Sequence, residues 1–349
     1  MRNMEKNKIA WLLLGAALVT GCAKERTASD NEDNKTYLEA WMQAHHPGVS
    51  ASGIGIYILE DEPGTGAVYG GQDYIYAEYT VRDLEGNITS TTSRRLSQQL
   101  GSYQPSNFYG PSVLYAGNKA LQAGLEELIT GMRRGGTRTA LIPNWLLTYS
   151  RYSNAAEYLK KASAGNNSHS IYTVTLKDIM DDEAEWELDS LRHYLIAHAP
   201  DAVSVPGDDG KEQGFFYAQK SAPTDTASFP KDTTIYINYI GRLLNGQVFD
   251  TTIKDTAKVY NIYSSSKTYA PVVINWAEEA TGITMSSSGS SVIEGFARTL
   301  FRMRAYEKGV GYFVSSLGYG SSGSGSQIPA YSPLIFEIEL VDSPSSDLL

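Results

Sequence analysis

Residues 233–250 read TTIYINYIGRLLNGQVFD. From Thr233 to Tyr239 apolar and polar residues alternate with period two, the mark of a strand with one buried face. Asn245-Gly246 then separates two strand-like runs, a strong hairpin signal because a two-residue turn needs positive φ. Further out, Leu334 to Leu340 (LIFEIEL) alternates in the same way. Between Asn275 and Phe301 lies one helix candidate, ending near Arg302–Arg304. A mostly antiparallel sheet with one helix across it is an α+β domain.

The pattern occurs twice. Leu38 to Pro47 (LEAWMQAHHP) matches Leu191 to Pro200 (LRHYLIAHAP), and both segments have helical spacing and stop at proline. Tyr79, Gly86 and Thr91-Thr92 align with Tyr239, Gly246 and Thr251-Thr252, Met132 with Met303, and the strand 171–176 with 335–340. Matched landmarks with drifting offsets indicate duplication with loop insertions, and units of this length are tandem domains rather than a solenoid. The helical segment 183–198 joins them.

The N-terminus reads as an address. Arg2, Lys6 and Lys8 precede the apolar run Ile9–Val19, which is too short to span a bilayer and suits a secretory signal. Val19-Thr20-Gly21-Cys22 resembles a bacterial lipobox, and Cys22 is the only cysteine of the chain. Acylation there would anchor the protein, each buried CH₂ contributing about 0.8 kcal/mol. The expected location is the bacterial cell envelope, as an outer-membrane lipoprotein facing the periplasm or the cell surface.

The balance of charge and cysteine narrows the function. With 39 acidic against 29 basic residues the formal charge is −10, which argues against a nucleic-acid partner. One cysteine excludes an intramolecular disulfide framework and multi-cysteine metal sites. There is no G-x-S-x-G elbow and no Walker A loop, and Gly53-Ile-Gly55 lacks the third glycine of a dinucleotide loop. The histidines are scattered without an H-x-x-x-H pair; His45 and His198 are repeat-equivalent and read as structural. No cofactor and no metal are expected. Asp181 to Glu185 reads as the charged start of a helix.

Tyr239 to Asp250 (YIGRLLNGQVFD) resembles the opening signature of FKBP-type peptidyl-prolyl isomerases. Val292-Ile293-Glu294-Gly295-Phe296, Met303, and Leu317-Gly318-Tyr319-Gly320 resemble their central helix and following strand. Ser326-Gln327-Ile328-Pro329 and Leu334–Leu340 resemble their closing loop and strand. The resemblance covers residues 211–342. It implies two tandem FKBP-like domains, each a curved antiparallel sheet wrapped around one helix, plus short linker helices. The first unit is fainter: Ala120 to Arg138 fits the helix pattern, but Thr89, Ser90 and Leu125 stand where Phe, Asp and the floor aromatic would be.

The resemblance also implies a site. Phe296 would form the floor beneath a proline ring, in place of the usual Trp. Tyr239, Phe249 and Phe336 would form the walls, with Val292 and Ile293 touching substrate. The Tyr319 hydroxyl and the Ile328 N–H would bond substrate carbonyls, and Asp250 would polarise the rim. Aromatics at strand spacing also serve as core, Asp250 also suits a turn cap, and Gly320–Ser326 (GSSGSGS) read alone is a flexible linker. Ala297-Arg298 replaces two acids of the family helix. Residues 251–291 exceed the usual connection and read as an insertion, with Ser286–Ser291 an excursion that could gate, extend or block the pocket.

The expected organisation is a signal peptide at 1–21, a flexible tether at 22–35, a degenerate FKBP-like domain at 36–180, a helical linker at 181–205, the motif-bearing domain at 206–342 and a tail at 343–349. The expected activity is prolyl cis-trans isomerisation by the second domain, on proline-containing polypeptides folding outside the inner membrane. The alternative is a catalytically weak FKBP-like lipoprotein that binds clients or a partner. Surface glycan binding is a third reading, resting only on tyrosine content and the anchor.

Overall fold

The computed structural model describes residues 28–163, 168–207 and 210–343. The expected signal peptide and acylation site, Cys22, and most of the expected tail lie outside the described residues.

The first domain contains helix α1 (Ala28–His45) and strands β1 (Tyr57–Glu62), β2 (Tyr74–Arg82) and β3 (Ile88–Thr91). It continues with α2 (Arg94–Gln99), β4 (Ser112–Tyr115), α3 (Ala123–Ile129), β5 (Thr137–Ile142), α4 (Ala155–Lys161) and β6 (Ser170–Met180). After α5 (Glu183–His198) come β7 (Val203–Ser204), β8 (Phe215–Ser221), β9 (Thr234–Leu243), β10 (Val248–Thr251), α6 (Lys254–Val259), β11 (Val272–Asn275) and β12 (Thr284–Met285). Helix α7 (Glu294–Arg302), β13 (Lys308–Phe313) and β14 (Leu334–Val341) complete the chain.

The two sheets share a six-strand topology, to which the second adds β7 and β12. The first is ordered β1-β5-β6-β2-β3 with β4 also on β2. The second is ordered β12-β11-β9-β14-β13-β8-β7 with β10 also on β9. Register repeats as well: Tyr79 faces Val174 in the first sheet, and Tyr239 faces Ile338 in the second. In both copies the threonine thirteen residues on locks the strand. Tyr79 N–H donates to Thr92 Oγ1 at 3.0 Å, and Tyr239 N–H to Thr252 Oγ1 at 3.0 Å. The α+β, two-domain architecture expected from the sequence is the one that forms.

Each sheet folds over its helix. Helix α7 turns Phe296, Ala297 and Leu300 inward, against β13 and β14. Each such fully buried apolar side chain contributes about 1.5–3 kcal/mol relative to exposure. Glu294 and Arg298 pair at 2.5 Å on the outer face, and Glu294 in the first turn complements the helix dipole.

Three expectations change. The polar stretch expected to be a tether to residue 35 is helical from Ala28. Buried Asn31 fixes it by donating its amide to Leu159 O at 3.0 Å and Ala162 O at 2.7 Å, while Leu38 and Met42 enter the first core. The segment expected as a helical linker to 205 rejoins the sheet at β7, where Val203 and Ser204 pair with Tyr217 and Phe216. Residues 251–291 are only in part an insertion. They supply α6, β11 and β12, and β11 pairs with β9 as β4 pairs with β2. The residues without a counterpart are those around β12, where Thr284 bridges Ser291 and Met285 N–H donates to Ser290 O at 2.9 Å.

Helix α5 touches both domains. Trp186 donates its indole N–H to Asp178 in the first domain at 3.0 Å and lies 5.0 Å from the Tyr76 ring. Leu191 and Leu195 are buried in the second core. His45 and His198 both stack on the aromatic residue one turn earlier, Trp41 at 4.3 Å and Tyr194 at 4.4 Å. Among the described residues no helix is long and apolar enough to cross a membrane.

Candidate active site

Strand β9 carries Tyr239 and β10 carries Phe249 and Asp250. The N-terminal end of α7 brings Val292, Ile293 and Phe296; the segment after β13 brings Tyr319 and Ile328; β14 brings Phe336. All nine sequence-derived residues line one cavity of about 680 Å³. Phe336 touches the other three rings of the aromatic set. Its ring lies 5.0 Å from Phe296, 5.5 Å from Phe249 and 6.0 Å from Tyr239, the first two edge-to-face. Tyr239 closes the set at 5.6 Å from Phe296. Edge-to-face packing sets the positive ring edge against a negative face and holds the walls rigid. Phe336 also stacks on Phe313 at 5.9 Å, so it is pocket wall and core at once.

Gly241 makes this packing possible. A Cβ there would meet the Phe249 ring at 2.5 Å and Phe336 at 3.1 Å. The glycine of the opening signature is therefore a space requirement for two aromatic walls.

The polar groups gather at the rim. Tyr239 donates its hydroxyl to Asp250 Oδ2 at 2.6 Å, Thr251 N–H donates to Asp250 Oδ1 at 2.8 Å, and Lys267 pairs with the same carboxylate. Burial, with the Asp250 charge behind it, pushes the Tyr239 hydroxyl well above its usual range, so it remains a donor. Burial raises Tyr319 too, with a smaller contribution from Asp250. Neither tyrosine can serve as a base at neutral pH.

The Ile328 N–H has a partner within its own loop. The Ile328 N–H donates to Ser324 O at 3.1 Å, and Ser324 N–H donates back to Ile328 O at 2.8 Å. This donor is already occupied in the structure. The loop that does this is the glycine-rich one. Gly323 has φ +63° and ψ −160°, and a Cβ there would meet Ile328 O at 2.3 Å. Only glycine fits such a backbone, so Gly320–Ser326 is a specified turn rather than a linker.

Tyr269 and Ser291, which the sequence places near the pocket, line the cavity, and so do Lys267, Met285 and Gln327, which carry no such signal. The signal for Tyr269 is the repeat: Tyr103 and Tyr109 recur as Tyr263 and Tyr269 at the offset that relates Tyr79 to Tyr239. Of the Ser-rich excursion, Ser291 lines the cavity.

The first domain keeps a cavity of about 470 Å³, lined by Tyr79, Thr89, Ser90, Leu125, Leu147 and Tyr172 among others. Leu125 replaces the floor ring. In place of the overhanging loop, Arg151 bonds Glu126 and Leu121 O. Among the described residues no cluster of three or more His, Cys, Asp or Glu side chains is placed to hold a metal ion.

Residues 226–341 match the family model described as FKBP-type peptidyl-prolyl cis-trans isomerase. The chain is 27% identical over 145 residues to a macrophage infectivity potentiator of Trypanosoma cruzi, covering 42% of this chain and 58% of that protein. It is 27% identical over 149 residues to a probable FKBP-type peptidyl-prolyl cis-trans isomerase of Haemophilus influenzae, covering 42% of this chain and 51% of that one. The chain thus spans between half and three-fifths of the length of these curated relatives. Among solved structures, the three FKBP domains of wheat FKBP73 align over 82% of this chain and 94% of theirs, at 16% identity and a TM-score of 0.30.

Proposed function

We propose, from the match of residues 226–341 to the model of FKBP-type peptidyl-prolyl cis-trans isomerases, that the second domain isomerises X-Pro bonds of polypeptides in the bacterial envelope. The chain would be held there by acylated Cys22. The observation that carries the activity is the aromatic cavity floored by Phe296 and walled by Tyr239, Phe249 and Phe336.

Rotation about an X-Pro bond faces a barrier of about 18–20 kcal/mol, because amide resonance must be lost. The twisted amide is less polar than the planar one. A water-poor aromatic bowl therefore favours it over the ground state, and no nucleophile is needed. The proline ring sits on Phe296. The Tyr319 hydroxyl donates to a substrate carbonyl, and a second carbonyl takes the Ile328 N–H by displacing Ser324 O. The Tyr239–Asp250–Lys267 set fixes the rim. The first domain, with Leu125 at its floor and Thr89 and Ser90 at its wall, lacks these groups and does not catalyse.

The second reading, client binding with little turnover, is favoured by one observation: the Ile328 N–H is internally bonded to Ser324 O. The full chain should accelerate a proline-limited refolding reaction, and Tyr319→Phe and Phe249→Leu should remove most of that acceleration. A folded wild-type chain that binds a proline peptide without accelerating refolding overturns catalysis and leaves the binding reading. Labelled fatty acid should enter the wild type but not Cys22→Ser, and equal labelling overturns the anchor.

A further inference from the structure

The loop before β4 in the first domain and the loop before β11 in the second share one conformation. Tyr103 and Tyr109 lie 5.3 Å apart, and Tyr263 and Tyr269 lie 5.4 Å apart. Gln104 N–H donates to Tyr109 Oη at 3.0 Å, and Ser264 N–H to Tyr269 Oη at 3.0 Å. What the two loops grip differs. In the second domain Lys267 reaches its own Asp250. The equivalent positions in the first domain are Asn107 and Ser90, which cannot form that ion pair.

The first-domain loop turns instead to the other domain's pocket. Phe108 N–H donates to Ser326 O at 2.7 Å, and the Ser326 hydroxyl donates to Asn107 Oδ1 at 2.7 Å. Gln247 Nε2, from the β9–β10 turn, donates to Asn107 O at 3.2 Å. The Phe108 ring packs on the second core, and Ser106 lines the second-domain cavity beside Gln327 and Ile328. Ser326 stands midway between Ser324 and Ile328, the two residues whose backbones close the pocket loop.

We propose that Ser106, Asn107 and Phe108 make the first domain a clamp on the second domain's pocket loop and an outer wall of its substrate groove. They are positioning and specificity residues, and this part rests on the isomerase reading above. A chain bound at Phe296 that extends past the mouth meets Ser106, so flanking residues of an unfolded polypeptide are read by the first domain. The loss of Asp250's counterpart in the first domain gains a purpose here: an uncharged Asn107 is free to serve the neighbouring loop.

The test uses the full chain. Amide exchange of residues 320–330 should quicken about tenfold in the Asn107→Ala/Gln247→Ala pair, the scale of one net hydrogen bond lost, and should also quicken in Phe108→Ala, which keeps the backbone bond to Ser326 O but removes the ring from the second core. Asn107→Ala combined with Ser326→Ala should give no more effect than either alone. For a proline-limited refolding protein, KM should rise about fivefold with kcat unchanged, while KM for a short proline peptide moves less than twofold, because only the longer chain reaches Ser106. Unchanged loop exchange in both variants overturns the clamp. Equal KM shifts for protein and peptide overturn the flank reading. If the wild type does not accelerate refolding but the exchange quickens as stated, the isomerase reading fails and the clamp stands. Calorimetric affinity for an unfolded proline-containing chain then replaces KM.

Discussion

Glu187, buried on α5, accepts the Ser315 backbone N–H at 2.6 Å and the Ser315 hydroxyl at 2.9 Å, tying the inter-domain helix to the second residue past β13. Tyr319 follows four residues later. The helix between the domains is thus fixed to the strand end that leads into the pocket.

Burial pushes the Glu187 carboxyl up to about 7, against the two hydrogen bonds that favour its charged form. The folded pKa lies above the unfolded one, so the folded state binds the extra proton. Stability from this site is present below about pH 4.5 and is lost as pH rises to about 7, by roughly 3 kcal/mol. Glu187→Gln keeps the shape without the titration. Calorimetry across pH 4.5–8 should show a flatter profile for Glu187→Gln, and equal slopes would refute the assignment.

His169 in the first domain responds in the opposite sense. Its Nδ1 accepts the Asn144 N–H at 3.1 Å, which requires that nitrogen to be unprotonated, and burial pulls the ring down to about 4. The first domain should therefore lose roughly 3 kcal/mol as pH falls from about 6.5 to 4. NMR titration of the ring should place its midpoint well below 6; a midpoint near 6.5 would count against burial as the cause.

Gly323→Ala should be far more damaging to the pocket than Gly325→Ala. The Gly323 Cβ would strike the backbone of Ile328 and Pro329, while nothing lies within 4 Å of a Cβ on Gly325. The expected costs are about 1–3 kcal/mol at 323 and about 1 kcal/mol at 325. Proline-peptide affinity, measured beside the melting curve, should fall for the first variant only.

Removing the Tyr319 hydroxyl leaves the ring in place. Tyr319→Phe should lower kcat on the order of tenfold, the scale of one hydrogen bond made in the transition state, with melting little changed. An unaltered kcat would assign Tyr319 to packing alone.

Asn31→Ala should loosen α1 from the first domain. It strands the carbonyls of Leu159 and Ala162 that the amide now serves. The expected loss is about 1–3 kcal/mol, read as faster amide exchange in α1 and α4. Protection unchanged in both helices would show that Leu38 and Met42 alone hold α1.

Much of this was legible along the chain. Thr233–Tyr239 and Leu334–Leu340 declared strands by their alternation, Asn245-Gly246 declared the hairpin, and the Thr91-Thr92/Thr251-Thr252 landmarks declared the duplication. The nine pocket positions could be named because a motif keeps their spacing. Residues 251–291 misled because polar serine and threonine dilute the strand signal of Val272–Asn275, whose pairing with β9 is non-local. Ala28–Asn34 misled because composition does not reveal that Asn31 will find two carbonyls more than a hundred residues away.

The sequence by itself determined the α+β class, the two copies and the aromatic set, since periodicity and motif spacing are local properties of the chain. Only the tertiary structure decided that Ile328 is bonded to Ser324, that Lys267 joins Asp250, and that Asn107 and Phe108 hold the neighbouring domain's loop. Those relationships depend on where rigid elements bring distant side chains, and a hydrogen bond exists only within a few tenths of an ångström of its proper distance.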